Sequence, residues 1–268
     1  MTTGYVVVDA DSGKTTMQQN EHKKFRSASV VKLLIAIDYL KTLDGKEIPA
    51  EDRALLEPML RSSNDDAASA LWVRGGQRPI VERMVAEIGR DDTAPPADEG
   101  MWGYTAISAA DVAKIYQYIL DDADPEVREF MLTNLHVHTK CADDKFDQSF
   151  GIPSAVAEPG AVKQGWSGFG GAPAQGEECQ DSSDPGLTAK VLASPEVAQT
   201  QQIASGEGPT TRAADDIDLK RPAMHTTGTV GDDEKIIVLL TLEPEKTPWE
   251  IAAKRTTAIT KMLDRVSG

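Results

Sequence analysis

Residues 29–40, SVVKLLIAIDYL, are apolar at Val30, Val31, Leu33, Leu34, Ile35, Ala36, Ile37, Tyr39 and Leu40. That spacing covers nearly the whole circumference of a helix, and a helix apolar all round has to be enclosed by the rest of the fold. The chain must build its core around this segment. Its 268 residues suffice for one large core or for two lobes sharing a cleft. A hydrophobic content of 40% and a charged content of 26% are ordinary for a globular protein.

Lys32 is the anomaly in this segment, because a buried helix should tolerate no lysine. It lies three residues after Ser29, so the two share one face of the first turn and the amine can reach the hydroxyl. Burial disfavours an ammonium. The reading is that Lys32 accepts a proton near neutral pH and makes Ser29 a nucleophile. With 15 Ser and 16 Lys in the chain, about one S-x-x-K is expected by chance, so the apolar helical context carries the weight.

Two further segments follow in the order that a serine acyl-transfer site needs. Ser62-Ser63-Asn64 lies between the amphipathic stretch 51–61 and the helical SNDDAASALW, where Ser and Asn also suit a helix cap. Lys163-Gln164-Gly165-Trp166 ends a short strand, AVKQGW.

Together the three resemble the S-x-x-K, S-D-N and K-T-G signature of penicillin-binding proteins and class A serine β-lactamases. The opening GYVVVDADSGK, the SNDDAASALW helix and the closing HTTGTV, KIIVLLTL and final helix are similar to that family too. The resemblance implies that Ser29 is acylated with Lys32 as its base, and that Ser62 relays a proton to the leaving group. It further implies that Asn64 binds the substrate amide, that Lys163 attracts its carboxylate, and that the amides of Ser29 and Trp166 form an oxyanion hole. Implied substrates are β-lactams and D-alanyl-D-alanine-type peptides such as the peptidoglycan stem, with no cofactor and no metal. A serine esterase or a non-catalytic module that binds cell-wall fragments is the alternative.

The chain departs from the family at Ser63, where Asp is usual, and at Gln164, where Thr or Ser is usual. An amide at Gln164 can still donate to a carboxylate. The E-x-x-L-N segment whose Glu activates the deacylating water is missing from TAPPADEGMWGYTAIS, and Glu99 is the one nearby candidate. Slow deacylation is the expectation.

A net charge of −15 argues against nucleic acid or an anionic membrane as partner. No run reaches the roughly 18 apolar residues of a membrane span. Relatives of this family act outside the cytoplasm, so an extracytoplasmic or secreted location is expected, with the export signal lying outside this sequence and the cytoplasm as the alternative. Cys141 and Cys179 either pair or stand as two separate thiols. His136-Val137-His138, with alternate residues on one strand face near Cys141 and Asp143, lacks a recognised metal-ligand spacing.

The expected fold class is α+β: a mainly antiparallel five-stranded sheet flanked by terminal helices beside an all-helical lobe. Strands are read at 5–10, 15–19, 161–166, 223–230 and 235–242. Helices are read from Ser29 and at 51–61, 65–73, 78–88, 108–120 and 250–266. The chain is expected to be a single catalytic domain, with a sheet lobe from about 1–28 plus 159–268 and a helical lobe from about 29–158. Residues 167–221 form a long insertion, with a short helix in TAKVLASPEVAQTQQIA, read as a flap at the edge of the site.

Overall fold

The computed structural model describes residues 1–89, 91–181 and 217–266. Strands β1 (Thr2–Asp9) and β2 (Lys14–Gln19) form the opening hairpin, whose turn is fixed by the Ser12 amide donating to Asp9 Oδ1 at 2.9 Å. With β5 (Pro159–Ser167), β6 (Ala223–Val230) and β7 (Lys235–Leu242) they make one antiparallel sheet in the order β2-β1-β7-β6-β5. Chain ends thus meet in the middle of the sheet, and β5, which carries Lys163, lies at its edge.

A second, two-stranded ribbon pairs β3 (Phe25–Arg26) with β4 (Ala106–Ile107). The helices among the described residues are α1 (Lys32–Thr42), α2 (Ala50–Arg61), α3 (Asp65–Arg74), α4 (Arg78–Ile88), α5 (Ala109–Gln117), α6 (Pro125–His136), the single turn α7 (Ile152–Ala155) and α8 (Trp249–Val266).

The unbroken apolar run of β7 has a simple cause: both sheet faces are covered, so alternate residues are buried on opposite sides. Ile236, Val238 and Leu240 join the large core with α1 and α5, while Ile237 and Leu239 pack with Leu263 of α8. Within α1, residues Leu33 to Ile37 are all buried.

Three expectations need correction. Ser29 does not open an α-helix; it sits in a 3-10 turn, Ala28–Val31, that leads into α1 at Lys32. His136 is the last residue of α6 and contacts Asp233, and His138 contacts the Leu135 carbonyl, so the two do not share a strand face. Among the described residues no group of His, Cys, Asp or Glu is arranged to hold a metal. A helix at 125–136 was not anticipated, although Val127, Phe130, Met131 and Leu135 recur at helical spacing and are buried. Most of the anticipated flap, including its short helix, lies outside the described residues; 167–181 and 217–221 are within them.

Candidate active site

Four segments converge on Lys32. The first is the turn that holds Ser29. Ala28, just before the serine, has φ +45°, a left-handed conformation that costs a non-glycine residue energy and persists only where neighbours enforce it. The β3–β4 ribbon supplies that enforcement: the Ser27 amide donates to Thr105 O at 2.8 Å, and its hydroxyl donates to Gly103 O at 3.2 Å.

The second segment is the α2–α3 turn. Lys32 is fully buried, and its Nζ donates to Ser63 O at 2.6 Å, to Ser63 Oγ at 3.2 Å and to Asp65 Oδ1 at 2.5 Å. These three oxygens surround the amine. Ser29 is not among these partners. Ser63 itself adopts φ +60°, which turns its carbonyl and its hydroxyl toward the lysine.

Edge strand β5 is the third. Lys163 is 1% exposed and its Nζ donates to Ser63 Oγ at 2.9 Å, so one hydroxyl lies between two lysines. Burial, then the positive charge of Lys32, holds the Lys163 amine well below the usual lysine range. Gly165 lies against the Ser29 turn: a Cβ there would come within 3.0 Å of Ser27 O and 3.3 Å of Ser29 N. Only glycine lets the strand approach so closely.

Residues 137–151 form the fourth segment and bridge the other two walls. Thr139 N donates to Arg61 O, Asp143 N to Ser62 O at 2.8 Å, and Gln148 Nε2 to Arg61 O. On the β5 side, Gln164 Nε2 donates to Gln148 O and Phe150 O, and Trp166 Nε1 donates to Asp144 Oδ2 at 2.9 Å. Cys141 is bonded to Cys179, which ties this loop to the chain leaving β5. The two cysteines therefore pair.

Placed against the sequence expectations, Ser29, Lys32, Lys163, Gly165 and Trp166 gather in one region, but the hydroxyl of Ser62, expected to relay a proton to the leaving group, turns elsewhere. Ser62 Oγ donates to Pro58 O at 3.0 Å, on the last turn of α2. The hydroxyl between the lysines belongs to Ser63. Asn64 also differs: its Oδ1 accepts from Ala67 N at 2.7 Å and caps α3, while Asp65 takes the place beside Lys32. The triplet at the site is Ser63-Asn64-Asp65, one residue later than expected. Both registers are present in SSNDD, and the signal that separates them is capping: if Asn64 is the N-cap, the serine before it lies on the turn and the acid after it opens the helix. Gln164 turns its amide donors to the loop rather than to the cleft.

Sequence reasoning missed two other residues. Trp102 is buried with its ring centre 4.9 Å from Lys32 Nζ, and its Nε1 donates to Ser69 Oγ at 3.2 Å. Asp144 is the carboxylate beside Trp166. Glu99 contributes its main-chain carbonyl to Trp72 Nε1 at 2.7 Å, and its residue is exposed.

Residues 1–58, which include the β1–β2 hairpin, Ser29 and Lys32, match a family model described as "Beta-lactamase enzyme family". The proteins named "Putative lipoprotein LppW" from Mycobacterium tuberculosis and Mycobacterium bovis are each 36% identical to the chain over 171 residues, 62% of this chain and 54% of theirs. The chain therefore spans about half the length of the curated relatives it matches. Among solved structures, a β-lactamase from Chitinophaga pinensis superposes with a TM-score of 0.66 at 15% identity, covering 100% of this chain and 94% of that one. A class A β-lactamase from Mycobacterium abscessus gives 0.59 at 16% identity, covering 99% and 93%. The fold is therefore that of β-lactamases, and residues 1–58 are similar in sequence to that enzyme family.

Proposed function

We propose that this chain is a single-domain serine hydrolase or acyltransferase that forms an acyl-enzyme at Ser29, with β-lactam-type, D-alanyl-D-alanine-type or ester substrates. The observation that carries the reading is the Ser63 hydroxyl held between Lys32 and Lys163 beside the Ser29 turn. Ser29 Oγ attacks the carbonyl carbon and its proton passes to Lys32. The amides of Ser29 and Trp166 receive the oxyanion, a role supported by the close approach of β5 at Gly165 to Ser29 N. The bond to the leaving nitrogen or oxygen then breaks, and the leaving atom takes a proton from Ser63 Oγ, which regains one from the flanking lysines. This role falls to Ser63 and not to Ser62, whose hydroxyl is occupied at the end of α2.

Release of the acyl group requires a water and a base. Trp102 covers the Lys32 amine with its ring and offers no basic atom there. Slow deacylation is part of the proposal. An extracytoplasmic location is part of the proposal, motivated by the lipoprotein named among the similar proteins and by the Cys141–Cys179 disulfide, which suits an oxidising compartment.

Intact-mass spectrometry tests the reading. Incubation with a penicillin is expected to add the whole mass of the drug to the protein and leave Ser29→Ala unmodified. An adduct that persists in the variant, or none on the parent protein with either a penicillin or an activated ester, overturns it.

A further inference from the structure

We propose that Asp144 is a specificity-determining residue of the cleft, which while charged weakens, without abolishing, the binding of a free carboxylate at the Lys163 end and so favours the ester-type among the substrates proposed above. The proposal rests on the acyl-transfer reading above.

Asp144 is held by both oxygens. Phe146 N donates to Oδ1 at 3.2 Å, and Trp166 Nε1 donates to Oδ2 at 2.9 Å. Its neighbour Asp143 is bonded through its amide to Ser62 O, so the carboxylate is fixed on the loop that joins the Ser63 turn to the end of β5. Three charged groups from other elements face it: Lys32 of α1, Asp65 of α3 and Lys163 of β5. With two amines against two carboxylates, the cluster has no net positive charge even when both amines are protonated.

Other donors do not make up the deficit. Gln164 directs its amide protons at Gln148 O and Phe150 O, and its buried Oε1 has no hydrogen-bond partner. What Gln164 has left is an acceptor, the wrong polarity for a carboxylate and a suitable one for an N–H or O–H. Lys163 is already directed at Ser63. An anionic substrate at this end would meet a fixed carboxylate in surroundings where like charges repel more strongly than in water.

The weakening should be conditional on pH. Burial raises the Asp144 carboxyl to about 6. Below that value it is neutral and tolerates an anion; above it, it is charged and repels one. His138, on the same loop, is kept below the usual histidine range by burial.

Calorimetric binding measurements on the Ser29→Ala protein, which cannot be acylated, test this with benzylpenicillin and its uncharged methyl ester at pH 5 and pH 8. The penicillin anion is expected to bind about tenfold more weakly at pH 8, and the ester equally at both. Adding Asp144→Asn, which keeps an oxygen for Trp166 Nε1, should restore penicillin affinity at pH 8 about tenfold and flatten its pH response. Three results overturn the proposal: a flat response with Asp144 present; a response that survives Asp144→Asn, which would assign it to Lys163; or no binding of either compound to the double variant at pH 5. Normal acylation of the parent protein with a flat binding response removes the role of Asp144 alone. Absent acylation with the expected binding pattern removes the serine chemistry alone.

Discussion

The hydroxyl of Ser63 contacts two lysine side chains, both almost fully buried, whereas that of Ser62 folds back four residues onto the Pro58 carbonyl. Removing each should therefore do different damage. Ser63→Ala takes away the one group positioned to pass protons between Lys32, Lys163 and a departing atom, and a positioned acid or base is typically worth 10²–10⁴ in rate. Acylation of Ser63→Ala by a β-lactam is expected to slow by roughly 10² or more. Ser62→Ala loses a single cap-like hydrogen bond, worth about 1 kcal/mol of stability, and should acylate within about threefold of the parent. Stopped-flow acylation rates for both variants, with urea midpoints alongside, decide it. Equal rate losses would mean that the α2–α3 turn as a whole, and not the Ser63 hydroxyl, matters.

At the scale of elements, the approach of β5 to the Ser29 turn has no slack. A methyl group at residue 165 would stand 3.0 Å from Ser27 O, 3.0 Å from Val30 Cγ2 and 3.3 Å from Ser29 N. Gly165→Ala should push the strand and the turn apart by a few tenths of an ångström. It should cost about 1–3 kcal/mol as an overpacked contact and cut acylation by at least tenfold, because Ser29 and Trp166, whose amides are proposed to hold the oxyanion, adjoin this junction. A rate unchanged from the parent would separate the junction from the chemistry. The same elements show what was legible. Strands written as β-branched runs between turns, and helices with strong apolar faces, could be read from the sequence to within a few residues. The burial of Lys32 could be read as well, because a lysine in an otherwise apolar run must either snorkel from the helix end or be enclosed with partners. The Ser63 register could not be read from motif spacing, since S-x-N in SSNDD points to Ser62, and only the cap at Asn64 points to Ser63. Helix α6 was overlooked because its charged residues dilute a periodicity that is present. Trp102 and Asp144 were invisible for a different reason: each reaches the site from a loop, and no local pattern says where a loop will fold back.

For the molecule as a whole, the site depends on a brace that the sheet does not provide. The sheet edge ends at β5, and beside the Lys163–Ser63 contact the loop 137–151 spans from it to the α2–α3 turn. Several of its bonds are to main-chain carbonyls, and the Cys141–Cys179 link closes 38 residues around it. In the chain-entropy model, closing a loop of that length removes about 4 kcal/mol of unfolded-state freedom, and disulfides typically deliver about 2–4. Reduction, or a Cys141→Ser/Cys179→Ser double variant, should therefore lower the melting temperature by about 5–12 °C for a chain of this size. The large core around α1 contains no part of this loop, so far-ultraviolet dichroism should hardly change. Within the site, the loss should be selective. Lys32 and Lys163 each contact Ser63 directly, so acylation by a neutral ester should persist, whereas Asp144 and the Trp166 indole would be released from their fixed placement. The expected signature in the reduced protein is discrimination between ester and carboxylate substrates falling toward unity while ester acylation stays within a few-fold. Melting curves and paired acylation rates with and without reductant measure both halves. A parallel collapse of both rates would show that the disulfide supports the catalytic cluster itself and not the loop beside it.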